Sequence, residues 1–151
     1  MRKNLLQPEV KEEILSRINK LSKDTPSQWG KMNVNQMLFH TAAGLRIGYG
    51  DIRTARKSSW IKQQFMRFFI LKSDFPTPKE KAETFPEINT VTLGINPGDF
   101  EMERKTLTEL VKNFPAKDLH PESSMLGKMS KENWARLHYT HLDHHLKQFG
   151  V

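Results

Sequence analysis

Residues 130–150 read SKENWARLHYTHLDHHLKQFG, and the reading of this stretch decides the fold. Ser130 is a good N-cap residue, and apolar and histidine positions then recur at helical spacing, predicting a helix over residues 131–148. Trp134, Leu137, His141, His144, His145 and Gln148 share one broad face of it. Leu142, Leu146 and Phe149 extend that face into a second apolar stripe. Four of the six histidines lie between His138 and His145, and His141 and His145 stand one helical turn apart on the same side.

Upstream, the pattern is again helical. Pro8 suits a first helical position, and Val10, Ile14, Ile18 and Leu21 make the apolar stripe of a helix over residues 8–21. The turn SKDTPSQWGK follows. Asn33 with Gln36 three residues on predicts a capped second helix, which carries Met37, Leu38, Thr41 and Leu45 and weakens at Gly48 and Gly50. His40 falls on the border of its apolar stripe. Residues 59–72 are amphipathic and aromatic, with Trp60, Phe65, Phe68 and Phe69. They are read as a core helix with a basic outer face rather than a membrane-surface or calmodulin-type helix. Residues 73–97 hold four prolines and only a strand-like 90–95, so they form either a lid or a connector. Asp99 or a near neighbour caps a fourth helix to about Phe114, with Phe100, Leu107, Leu110 and Val111 inward, and residues 117–130 form a second connector. No convincing sheet is expected. The elements predict one all-α domain over residues 1–151, a helix bundle with long crossings.

Bulk properties narrow the function. The 151 residues suffice for a sizeable core, no run is long enough to span a membrane, and the start MRKNLLQPEVKEEIL lacks a secretory leader's apolar region. With no cysteine, the protein itself supplies no disulfide, thiolate ligand or thiol nucleophile, and a reducing, cytoplasmic location is the simplest expectation. The net charge of +7 is dispersed among glutamates, as in KEEILSRINK and EMERKTLTELVK, and no nucleic-acid-binding motif is present. No nucleic-acid or membrane partner is expected.

Two imidazoles at i and i+4 can reach one metal ion, and imidazole suits zinc, nickel, copper and iron alike. Burying two imidazoles without partners costs free energy twice, and a metal removes that cost. A third ligand has to come from a facing helix, and His40 is the sole histidine in the first half of the chain. Three imidazoles leave coordination positions open for water or substrate. His120, before Pro121, is expected at a loop rim, with substrate contact possible. His138 reads as structural, His144 as a neighbour of the pair and a candidate proton carrier, and Asp143 as solvated. Trp29 and Trp60 read as packing residues rather than stacking platforms.

The segment Trp134-x-x-Leu137-x-x-x-His141-x-x-x-His145-x-x-Gln148 resembles the last helix of the DinB/YfiT-like superfamily of metal-binding four-helix bundles. WGKMNVNQMLFH, ending at His40, is similar to that superfamily's second-helix entry. Trp29-Gly30-Lys31-Met32, Gln36-Met37-Leu38, His120-Pro121, LGKMSKENW and HLDHHLKQFG more closely resemble an uncharacterised branch, a domain of unknown function. The resemblance implies a four-helix bundle with an extra short helix, holding Zn²⁺, Ni²⁺ or a similar ion through His40, His141 and His145. It further implies a transferase that uses a low-molecular-weight thiol, with hydrolase next, acting on a small molecule. Since the sequence runs only to Val151, no C-terminal substrate domain is expected. His144, Gln148 and His120 are the catalytic candidates, with Gln148 placed to orient a ligand or donate to a bound group. The alternatives are a non-catalytic, metal-containing interaction module and a basic nucleic-acid-binding stress protein. A homodimer through the aromatic third helix is also expected.

Overall fold

Local sequence chemistry sets the helix starts. In the computed structural model, which describes residues 2–55, 58–73 and 85–151, α1 spans Pro8–Asn19 and buries Val10, Ile14 and Ile18. It stops two residues short of the expected end because Lys20 and Leu21 already bond back three residues, to Arg17 and Ile18. Leu21 is buried all the same. α2 spans Val34–Gly48 behind the expected capping box: Asn33 Oδ1 accepts the Gln36 N–H at 2.9 Å, and Gln36 Oε1 accepts the Asn33 N–H at 3.0 Å. The Gln36 and Asn35 side-chain amides donate to the carbonyls of Ile95 and Gly98, so the same turn holds the segment that leads to α4.

The third helical stretch divides into α3, Trp60–Arg67, and a π-helical turn, Phe68–Lys72. Residues 86–88 form a 3-10 turn, and α4 spans Phe100–Lys112 with Asp99 as its cap. Residues 90–94 are turns, not strand, because the Asn89 side chain and the Thr90 carbonyl close local bonds to Thr92 and Ile95. Much of the expected lid or connector, residues 74–84, lies outside the described residues. The second connector carries a two-stranded antiparallel hairpin that the sequence reading missed, β1 (Glu122–Ser123) and β2 (Gly127–Lys128), with Gly127 at positive φ. α5 spans Lys131–Gln148, capped by Ser130 as expected.

α2 packs against both α4 and α5, and α1 packs against the same two helices. One core runs between them, with Ile14, Ile18, Met37, Leu38, Leu107, Val111, Leu142 and Leu146 buried. A satellite of Ala43, Ile47, Ile88 and Trp134 lies beside it. Asp143, expected in solvent, is instead half-buried between Arg17 of α1 and Lys147, each at 2.8 Å. Arg17 also donates to the Asp143 and Val151 carbonyls, tying α1 to the end of α5. Facing neighbours from α1 are invisible to a wheel drawn for α5 alone.

α5 lies close against α2 over two glycines one turn apart. A Cβ on Gly44 would stand 2.8 Å from His141 Cε1, and one on Gly48 would stand 2.3 Å from His138 Nε2. The His138 ring cannot retreat, because it is stacked on Trp134 at 5.3 Å and edged by Phe114 at 5.4 Å. In a free helix alanine is favoured over glycine by about 1 kcal/mol. Here Gly48→Ala is expected to reverse that sign and destabilise by about 1–3 kcal/mol, as overpacking does, measured by the urea unfolding midpoint of the metal-free protein.

Candidate metal centre

α2 supplies one imidazole and α5 supplies two. The ring centroids of His40, His141 and His145 form a nearly equilateral triangle, 4.8, 4.7 and 4.8 Å on a side. One ligand nitrogen from each lies within 4.8 Å of the others, and His40 Nε2 and His141 Nε2 are 2.9 Å apart. His40 and His145 are buried and His141 is partly so. The border position of His40 has turned inward.

Each outer ring nitrogen of His40 and His145 has an assigned role. His40 Nδ1 lies 2.9 Å from the Ile88 carbonyl, which only accepts, so His40 carries its proton on Nδ1 and points a bare Nε2 at the centre. The Gln148 amide nitrogen donates to the Trp29 carbonyl at 2.7 Å, which leaves Oε1 to accept from His145 Nδ1 at 2.8 Å. His145 Nε2 is therefore also a lone pair. Metal-bound histidines carry such partners on the nitrogen away from the ion. Gly30 makes one of them possible: at φ 81° it brings the Trp29 carbonyl to Gln148, and a Cβ there would stand 2.5 Å from the Gln148 amide nitrogen.

The electrostatics favour the same protonation state. Burial is the largest cause in all three rings, lowering His40, pushing His141 well below its ordinary value and lowering His145 to about 3. Neighbouring imidazoles add to the effect on His141 and His145. Neutral imidazole is the form that binds metal. Divalent ions with bonds near 2.05 Å hold their donors about 3 Å apart in an octahedron and about 3.4 Å in a tetrahedron. The donor set and the 2.9 Å His40–His141 edge suit such an ion, and the other donor separations, which reach up to 4.8 Å, would have to close to about 3–3.4 Å around it.

The remaining candidates scatter. His144 is half-buried beside the triad, its ring 5.0 Å from His145 and 6.1 Å from Trp29. Gln148 stands behind His145 with its amide engaged on both sides. His120 is exposed at the far end of α2, against Gly50, with Nδ1 2.7 Å from the Glu122 carbonyl. Eight residues of helix, roughly 12 Å of rise, separate His40 from Gly48, whose carbonyl accepts the His120 N–H. His138 faces Gly48 and is held by rings, with its Nε2 buried and without a hydrogen-bond partner. Sequence reasoning missed the Ile88 and Trp29 carbonyls and the close approaches that Gly30, Gly44 and Gly48 allow. Backbone acceptors leave no signature in a sequence, whereas the i, i+4 spacing of Gly44 and Gly48 was a readable sign of close helix approach.

Fold and site together define a mostly helical protein with a three-histidine cluster able to hold a metal ion. The chain belongs to a family described as proteins of unknown function (DUF1569), which matches it over residues 1–150. No curated protein and no solved structure matches it significantly. Among the described residues, no helix is long and apolar enough to cross a membrane.

Two outcomes are expected. Gln148→Ala frees His145 to turn, and should weaken Zn²⁺ or Ni²⁺ binding by about 10–100-fold, read by competition with a chromophoric chelator. The second concerns acid. Burial lowers His138 from 6.5 to about 3, so below about pH 6.5 the unfolded chain takes up a proton that the folded chain refuses. Stability is unaffected by this group above that pH and falls by ~1.4 kcal/mol per unit on descending through the window. Urea midpoints between pH 7 and pH 4.5 should therefore fall less steeply in His138→Leu than in the natural chain.

Proposed function

We propose that this chain is a single-domain, metal-dependent enzyme built as a DinB/YfiT-like four-helix bundle. On this reading it binds Zn²⁺, Ni²⁺ or a similar divalent ion through His40, His141 and His145 and acts on a small-molecule substrate. The observation that carries the reading is the inward pair of lone pairs on His40 and His145, each fixed by a hydrogen bond on its other nitrogen. His40 Nε2 accepts from His141 Nε2–H at 2.9 Å, and moving that proton to His141 Nδ1 would add a third lone pair facing the other two.

An ion held there would supply Lewis acidity, lowering the pKa of a bound water to around 7 and ionising a bound thiol. Three protein ligands leave positions open for such a group. The reaction class favoured is transfer to or from a low-molecular-weight thiol, with hydrolysis second. The chain has no cysteine, so a thiol nucleophile has to arrive with the cofactor or substrate. His144, half-buried next to His145 and edge-on to Trp29, is the chain's own group placed to hold or move a proton at the rim. Gln148 acts as a positioning residue through His145 and the Trp29 carbonyl.

Purified protein loaded with Co²⁺ is expected to bind one equivalent and to show a visible spectrum that shifts on adding a small thiol. His40→Ala and His141→Ala should each lose that spectrum while retaining helical circular dichroism. Absence of binding in the natural chain after loading with Zn²⁺, Ni²⁺ and Co²⁺ rejects the metal reading. Binding without any thiol-induced shift rejects thiol transfer and leaves hydrolysis.

A further inference from the structure

The third helix is amphipathic in the wrong sense for a core helix. Trp60, Ile61, Phe65 and Phe68 are 71, 76, 61 and 53% exposed, and no residue of α3 is buried. The expected core helix with a basic outer face is thus corrected. Polar groups make the attachment: the Ser58 N–H donates to the Ser124 carbonyl, and Arg67 Nη1 donates to the Leu126 and Lys128 carbonyls of the hairpin segment. The following π turn anchors through Leu71, which is buried, and through the Leu71 carbonyl, which accepts from Arg2. Hydrogen bonds to the hairpin therefore hold Ile61, Phe65 and Phe68 outward on one face, with Phe69 packed against Phe65 and Phe68 beside them.

Charge identifies what such a face would meet. Residues 52–73 contain Arg53, Arg56, Lys57, Lys62, Arg67 and Lys72 and no acid. Arg56 and Lys57 lie outside the described residues, whereas Arg53, Lys62 and Lys72 are exposed. A second copy would bring this positive run against itself. The face is also a convex helix surface rather than a groove, so a rigid partner needs a shaped, acidic cleft to cover it. A fluid, anionic lipid surface needs neither. Aromatic side chains flanked by lysine are what a helix lying in a membrane interface presents.

We infer that the face of Ile61, Phe65, Phe68 and Phe69 docks on an anionic membrane surface, with Trp60 at its edge and Lys62 and Lys72 beside the lipid headgroups. This is peripheral attachment and does not involve a span. It rests on none of the metal chemistry above.

The test is flotation of the natural chain with vesicles of neutral phosphatidylcholine alone or with about 30% phosphatidylglycerol. Each basic residue near an anionic surface adds roughly 1 kcal/mol, about fivefold, so Lys62→Glu with Lys72→Glu should weaken binding to the anionic vesicles by more than tenfold. Binding should also blue-shift the emission of Trp60, the most exposed of the three tryptophans, and Trp60→Phe should remove that shift. Phe65→Asp with Phe68→Ser should abolish flotation while leaving helical circular dichroism and the melting temperature unchanged, since neither side chain is in the core. Failure to float with anionic vesicles at low salt overturns the inference. So does equal binding to both vesicle types. So does a concentration-dependent dimer that hides Trp60 and dissociates in the phenylalanine variant, which would assign the face to a second copy.

Discussion

The rest of the structure depends on the close approach of α5 to α2 across Gly44 and Gly48. Side chains at those two positions would occupy the space of the His141 and His138 rings. With both positions bare, the α5 histidines lie against the α2 backbone, and His141 comes within 2.9 Å of His40. Helices packed at ordinary separation would leave the triad too wide to share an ion. The glycines weaken α2 as an isolated helix, and the buried surface of Met37, Leu38, Leu45, Leu142 and Leu146 offsets that loss.

A second constraint follows from burial. Imidazoles removed from water must be neutral and hydrogen-bonded or else cost stability. The molecule meets this with main-chain acceptors from two loops. Ile88 reaches His40 from the 3-10 turn, and Trp29 reaches His145 through Gln148. The segment after the first loop is held in turn by the α2 cap, through Gln36 to Ile95, and the second loop is held by α5, through the Gln148 amide that Gly30 lets approach. The orientation of the site therefore belongs to the loops as much as to the helices. His138 is the exception, held neutral by stacked rings with an orphaned Nε2, and it marks where packing has outweighed hydrogen bonding.

The aromatic helix shows how periodicity misleads. Spacing reveals that a helix has two faces, and the usual driving force assigns the apolar one inward. In α3 the hairpin carbonyls of Leu126 and Lys128 compete for Arg67 and win the polar face instead. Nothing in residues 59–72 records that competition, because the acceptors lie about sixty residues away. The hairpin itself escaped notice for a related reason: two-residue strands are too short for any alternation to register.

Read alone, the sequence determined whatever depends on neighbours in the chain. Pro8, the Asn33–Gln36 box, Asp99 and Ser130 set the helix starts, and 3.6-residue periodicity set the core faces of the first, second, fourth and last helices. It also put His141 and His145 on one side of one turn. Tertiary structure alone decided that His40 turns inward to meet them, that Asp143 binds Arg17, that His120 stays at the far end of α2 and that the aromatic stripe faces out. The physical reason is common to all four. Each depends on a partner distant in sequence, and a backbone carbonyl or a missing Cβ selects that partner as readily as any side chain does.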